Sequence, residues 1–390
     1  LHLFDLNTPF ELAGIVVSLG DRAGSRCGGR SIGCGLVEAI EAARERAGGY
    51  VAIDGPEYGL IPSDASAWAR ELRIALRAKG LRAVVNLNMA EPPGWARSAL
   101  VGPLFPAEDP AKICDAADAL VDCLFDEPVT DVRLDWHLSA CDFQPAGRYR
   151  LLRLSRHALD GAPLAFVFDR PHRPEALAEG LDRRHTAVLA FVGVGLPRLR
   201  ELLRAADGVN SVPAALLAKL GSLTRLALSA GRARRDFFRR YGRPAVTGEF
   251  LLDRARVVVV PVGLGEVVRA MTDQPVHGED GGAVARSILL GLNGAIMQDG
   301  IPATLDGPPP SYDCPDDTER TASPRQQLRG VAPLSAAVGA GTTVVQLPAD
   351  QRPTPEELAR LLWYASQQPG LTRVRFSQCR TRSRQLSAEW

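Results

Sequence analysis

His137, Cys141 and Asp142 lie close together where the alternating segment Val132–Leu138 runs out into a loop. A histidine near a cysteine can hold the thiol as its nucleophilic thiolate. Cys141 and His137 are therefore the candidate catalytic residues, and Asp142 is the candidate substrate-binding residue. Cysteine also serves as an inert core side chain, and that reading stays open beside the first. A second region of interest is Gly24-Ser25-Arg26-Cys27-Gly28-Gly29-Arg30-Ser31-Ile32-Gly33-Cys34-Gly35, glycine-rich and followed by a helical pattern. Backbone N–H groups at such a helix start can cradle a phosphate. Its spacing fits neither the P-loop nor the dinucleotide fingerprint, so a flexible connection explains it more simply. Cys27 and Cys34 could form a redox pair, a weaker reading still. His172, His185 and His277 show no metal-ligand spacing and read as surface or capping residues. Asp316, Asp317 and Glu319 read as a solvated acidic patch. No CxxC pair exists, so neither a metal site nor a cofactor is predicted.

The composition narrows the function classes. Lys plus Arg is 46 against 45 Asp plus Glu, a net charge of +1 over 390 residues. That balance excludes the basic footprint of a general nucleic-acid binder. All the basic residues except Lys79, Lys112 and Lys219 are arginine. A GC-rich coding sequence produces this bias, and forked phosphate or carboxylate sites would also use it. The 7 cysteines are odd in number and scattered, as reduced cytosolic thiols are. The start of the sequence lacks the pattern of a signal peptide. Apolar stretches such as Val257–Val262 are far shorter than the ~20 residues that span a bilayer. A soluble, cytoplasmic, membrane-free protein is expected.

Strand and helix signals alternate along the chain. Leu36–Ala47 has helical spacing, Tyr50–Ile53 is a strand ended by Asp54-Gly55-Pro56, and Ala65–Lys79 is a helix stopped by Gly80. Arg82–Leu87 is the next strand and Pro110–Phe125 the next helix. In Val132–Leu138 the apolar Val132, Leu134, Trp136 and Leu138 alternate with Arg133, Asp135 and His137, the period of a half-buried strand. Leu164–Phe168, Thr186–Val194 and Val257–Val262 read as buried strands. Pro174–Glu179 begins a short helix, and Pro197–Ala206, Gly263–Thr272 and Ala283–Met297 are helices. Val212–Tyr241 is one long helix or a pair broken near Gly221 and Gly231. Asp299–Pro333 is a long Pro/Gly-rich loop, and Thr342–Leu347, Pro355–Gln367 and Leu371–Phe376 close the chain as strand, helix, strand. This grammar predicts an α/β fold of parallel strands alternating with helices. It divides into an N-terminal βαβ-rich portion, 1–105, and a barrel-like portion, 106–390, that carries the loop at 299–333.

Taken as a series, the second half resembles the glycyl radical enzymes, and the anaerobic ribonucleotide reductases among them. Pro163-Leu164-Ala165-Phe166-Val167-Phe168-Asp169-Arg170-Pro171 with Pro174-Glu175-Ala176-Leu177 resembles one strand and helix of that group. Thr186–Leu199 resembles the next pair and Ala227–Tyr241 the long helix after it. Phe250–Thr272, running to Ile296, and Gly341–Phe376 resemble the later segments. The resemblance implies a ten-stranded α/β barrel of two antiparallel halves. It also implies a C-terminal glycine that stores a radical and a cysteine at the tip of a loop inside the barrel that relays it.

The sequence departs from that pattern at both points. No cysteine lies between Asp169 and Leu199, and no glycine follows Gly370. A divergent or truncated member lacking the glycyl radical loop is therefore expected, without radical chemistry of its own, binding a small ligand for which phosphorylated compounds are one class. Its partners would be that ligand and either a radical-activating iron–sulfur protein or a separate radical-bearing chain, with a homodimer as one assembly. Two other readings stand beside it: a non-enzymatic α/β scaffold or partner-binding protein, and a non-radical α/β enzyme using Cys141 and His137.

Overall fold

The computed structural model describes residues 2–4, 11–17, 40, 43, 46–58, 60, 62–88, 110–126, 131–170, 175–207, 212–247, 251–307, 322–338, 341–348 and 352–378. The glycine-rich segment 24–35, Cys314, Cys379, His172, the acidic patch at 316–319 and the boundary drawn at 105 lie outside these residues.

Thirteen strands are described: β1 His2–Phe4, β2 Leu12–Val17, β3 Ala47–Asp54, β4 Arg82–Leu87, β5 Val132–Leu138, β6 Leu164–Phe168, β7 Ala176–Ala178, β8 Leu181–Asp182, β9 Ala187–Gly195, β10 Arg256–Val262, β11 Ala303–Leu305, β12 Thr342–Leu347 and β13 Arg373–Gln378. One sheet follows the path β11-β10-β9-β2-β3-β4-β5-β6-β13-β12, with β1 alongside β9, and β7 and β8 form a separate hairpin. Strands β2 to β6 are parallel to one another. The sheet reverses direction at β6/β13 and at β2/β9, and within each flank the strands are again parallel. The ten strands of this path therefore form two sets of five parallel strands running in opposite senses, with β1 antiparallel to β9 as an eleventh. Among the described residues no ladder joins β11 to β12. At β12, Gln327 satisfies the outer edge instead: its side chain accepts from Gln346 N at 2.9 Å and donates to Gln346 O at 3.0 Å. An edge covered in this way cannot template another strand.

Helices cover the outer face, as parallel sheets require. They are α1 Ala65–Lys79, α2 Pro110–Phe125, α3 Pro145–Leu159, α4 Leu196–Asp207, α5 Val212–Tyr241, α6 Leu264–Thr272, α7 Glu279–Asp299, α8 Pro324–Val338 and α9 Pro355–Ser366. Helix α1 turns Trp68, Leu72 and Leu76 inward and ends at Gly80, whose φ of 62° closes the helix by donating to Arg77 O and Leu76 O. Helix α9 starts at a capping box in which Thr354 and Glu357 satisfy each other's backbone N–H. None of the described helices is long and apolar enough to cross a membrane.

Three expectations change, and one open alternative is decided. Strand β5 is buried along its whole length, not on one face. Of the two readings of Val212–Tyr241 the single long helix holds: α5 runs unbroken through Gly231, where a Cβ would come within 2.3 Å of a Val257 methyl on β10. Glycine at this point lets the helix lie against the sheet. The expected helix at Pro174–Glu179 is instead strand β7, which turns back into β8 through Gly180 at φ 74°. The long loop 299–333 holds β11 and the start of α8. Strand β2 and helix α3 are not among the expected elements.

Candidate functional site

Strand β5 sends Leu134, Trp136 and Leu138 toward the helices and Arg133, Asp135 and His137 to the other face, where all three are buried. A polar face can be buried only if its groups find partners. Here the partner is the β7–β8 hairpin. Glu179, at its tip, is 3% exposed, and its Oε1 lies 2.7 Å from Arg133 Nη1. Arg133 also grips Asp135 through two bonds, of 2.7 and 3.0 Å, and Arg373 from β13 places Nε 2.8 Å from the same carboxylate. Thr342 from β12 donates to Glu179 Oε1 at 3.0 Å. Tyr50 from β3 donates to the Glu179 carbonyl at 2.5 Å, and Arg256 from β10 donates to the Gly180 carbonyl and pairs with Asp182. Past β11, Asp306 accepts from Gly180 N at 2.8 Å. The hairpin thus reaches strands from both halves of the sheet, so the sheet curls around it.

The electrostatics follow from burial and pairing. Burial favours the neutral form of Glu179, yet the charges of Arg133 and Arg373 outweigh it and lower the carboxyl to about 2. Asp306 moves the other way, raised by burial and by the negative charge of Glu179. Burial, with Glu179 and Asp306 nearby, keeps the Tyr50 phenol protonated far above its ordinary range.

A second cluster lies at the carboxyl ends of β3 to β6, where α/β sheets gather chemistry on loops. Asp54 ends β3 and pairs with Arg183 at 3.2 Å, and Arg183 also pairs with Glu175. Asn88, just past β4, adopts φ 61°, an uncommon backbone for a non-glycine residue. Its side chain donates to His137 O at 2.6 Å and to both Asp142 oxygens. Asp169, past β6, accepts from His137 Nδ1 at 2.8 Å. Asp54, Asp142, Asp169 and Glu175 give this rim an acidic character, with Arg183 as the fixed cation. Burial and the charges of Asp169 and Asp54 raise the Glu175 carboxyl despite Arg183 and His137.

The residues expected at the site divide between two environments. His137 is fully buried and Asp142 is 4% exposed, and Asn88 links the two. Asp142 also accepts from Ser139 N at 2.8 Å and Ser139 Oγ at 3.0 Å, which fixes the turn after β5. Cys141 is exposed on that turn, and no hydrogen bond joins its thiol to His137. His185 bonds Asp182 at 3.2 Å within its own turn. Among the described residues no group of His, Cys, Asp and Glu could hold a metal ion. Glu179, Arg133, Asp135 and Arg373 were missed. The signal was present in β5, where three ionisable side chains alternate with large apolar ones.

No family model and no curated protein matches the sequence. Solved structures do. The anaerobic ribonucleotide reductase of Thermotoga maritima in complex with dATP and CTP superimposes with a TM-score of 0.66 at 11% identity, over 94% of this chain and 75% of that one. The same enzyme with dATP bound in the specificity site gives 0.68 at 12% identity, over 96% and 77%. Another anaerobic ribonucleotide reductase gives 0.68 at 11% identity, over 96% and 73%. The chain has the anaerobic ribonucleotide reductase fold. At such low identity the likeness is one of fold, and in this version of it the stretch between Asp169 and Leu199 holds the β7–β8 hairpin, with Glu179 and Gly180 at its tip.

Proposed function

We propose that this chain is a glycyl radical enzyme-like protein, related to the anaerobic ribonucleotide reductases, that binds a small ligand and performs no radical chemistry of its own. The observation that carries the reading is the hairpin tip. The resemblance puts a relay cysteine on a loop inside the barrel, and relay needs an S–H bond that exchanges hydrogen reversibly. The hairpin within this sheet offers instead a carboxylate tied to Arg133 and Arg373. A paired carboxylate cannot exchange a hydrogen atom in that way.

The rim at the carboxyl ends of β3 to β6 is the proposed ligand site, with Asp142 as a ligand contact, His137 behind it and Cys141 at the exposed lip. Its carboxylates suit hydroxyl-bearing ligands, because ionised carboxylates are pure acceptors. Since structural neighbours were solved with dATP and CTP, nucleotides are the first class to test. Calorimetric titration of the full chain with CTP and with dATP should give saturable binding that Asp142→Asn weakens about tenfold or more, as loss of a charged hydrogen bond does. Absence of binding at millimolar ligand would overturn the reading.

A partner-binding scaffold is the second reading, favoured by exposed aromatics on adjacent helices: Tyr149 on α3 is 79% exposed and Trp363 on α9 is 50% exposed. A non-radical enzyme using Cys141 and His137 would lose its activity in Cys141→Ser, assayed in air.

A further inference from the structure

We propose that His137 is a proton-operated latch: the folded protein holds it as the imidazolium, and loss of one proton breaks the ring's simultaneous hold on the carboxyl ends of β4 and β6. The geometry around the ring carries this. Nδ1 faces Asp169 Oδ1 at 2.8 Å, and Nε2 faces Asn86 Oδ1 at 3.1 Å. The Asn86 amide cannot simply turn over, because its Nδ2 donates to Ile53 O on β3 at 3.1 Å. Both ring nitrogens therefore face oxygens that only accept. A neutral imidazole has one N–H and one lone pair, so it satisfies one of these partners and opposes the other. The ring is fully buried, and no solvent can take the place of the lost bond.

The surrounding charges favour the cation. Burial by itself would lower the His137 pKa, but the charge and hydrogen bond of Asp169 reverse this, helped by Asp135 on β5 and Glu175 ahead of β7. Arg133 and Arg373 are drawn to Asp135 and Glu179, and Arg183 to Asp54 and Glu175, with Asp169 adding a smaller attraction to Arg183. Strand β4 contributes the neutral Asn86.

The latch has reach. The His137 carbonyl accepts from Asn88, which also holds Asp142 and accepts nothing from the ring itself. Deprotonation leaves either the Asn86 or the Asp169 contact opposed, so the ring no longer joins β4 and β6 at once, and the loosening bears on the Asn88 and Asp142 turn through the His137 backbone. This device is independent of which ligand the rim takes.

Nitrogen NMR of the full chain labelled at histidine tests it, combined with amide hydrogen exchange across a pH series. His137 should remain doubly protonated at pH 7.5, where exposed histidines are neutral, and its deprotonation at higher pH should coincide with loss of amide protection at 86–88 and 137–142. In Asn86→Asp both events should move together to higher pH, because an added negative charge strengthens the hold on the proton. A neutral His137 at pH 7.5, or a titration that leaves protection at 86–88 and 137–142 unchanged, would overturn the proposal.

Discussion

Glu179 is buried, and among the described residues Arg133 and Arg373 balance its charge. Removing Glu179 leaves two buried guanidiniums to share the single Asp135 carboxylate, and breaking a buried charge pair costs about 3–5 kcal/mol. Glu179→Gln should therefore lower the unfolding free energy by about that amount in urea denaturation, and adding Arg133→Met should cost less than the sum of the two single changes. Acid titration follows from the same group. Its folded-state pKa, about 2, is below the ordinary value of 4.5. The stability it contributes is thus present above pH 4.5 and lost progressively as pH falls toward 2. His137 works in the opposite sense. Its pKa is raised from 6.5, so its contribution is full below pH 6.5 and is lost as pH rises through the folded-state value. The midpoint of thermal unfolding followed from pH 2 to 9 should fall on both limbs, with Glu179→Gln flattening the acid limb and His137→Gln the alkaline one. The sequence displayed Arg133, Asp135 and His137 on one face of β5, and period two read correctly which residues share a side. It could not tell that a hairpin from forty residues further on, rather than water, meets that side.

At the level of elements, two glycines decide how pieces approach. Gly180 has φ 74°, and a Cβ there would come within 2.3 Å of Val258 and 3.0 Å of Val188. Gly180→Ala should destabilise by more than about 1 kcal/mol, from backbone strain and overpacking together, and should raise proteolytic cleavage within 175–185. Gly231 allows α5 to rest on Val257, so Gly231→Leu should cost about 1–3 kcal/mol in thermal unfolding while helical content stays unchanged. These residues also explain one open reading and one misread element. A glycine in a helical pattern signals a break when only local propensity is weighed, yet here the sheet supplies the reason for it. Pro174–Glu179 looks helical by composition, but a tight turn at Gly180 and pairing across it impose an extended backbone. Strand β2 is an apolar run with β-branched residues, and helix α3 opens on Pro145 and buries Leu151, Leu154 and Ala158 at helical spacing, so both carry local signals.

The whole molecule was legible as α/β, because alternating β-branched runs and amphipathic helices demand a mostly parallel sheet with helices outside. The two reversals, β6 against β13 and β2 against β9, were not readable from patterning, since a strand buried on both faces reads alike in either direction. They came only through the resemblance, and the observed two sets of five strands agree with it. The fold encloses a charged hairpin, and the proposed lack of radical chemistry rests on it. Electron paramagnetic resonance of the full chain, after anaerobic incubation with a radical-activating iron–sulfur protein and CTP, tests it most directly. The account predicts no organic radical that responds to CTP and no deoxycytidine product. A radical signal that decays on addition of CTP, with deoxynucleotide formed, would contradict it.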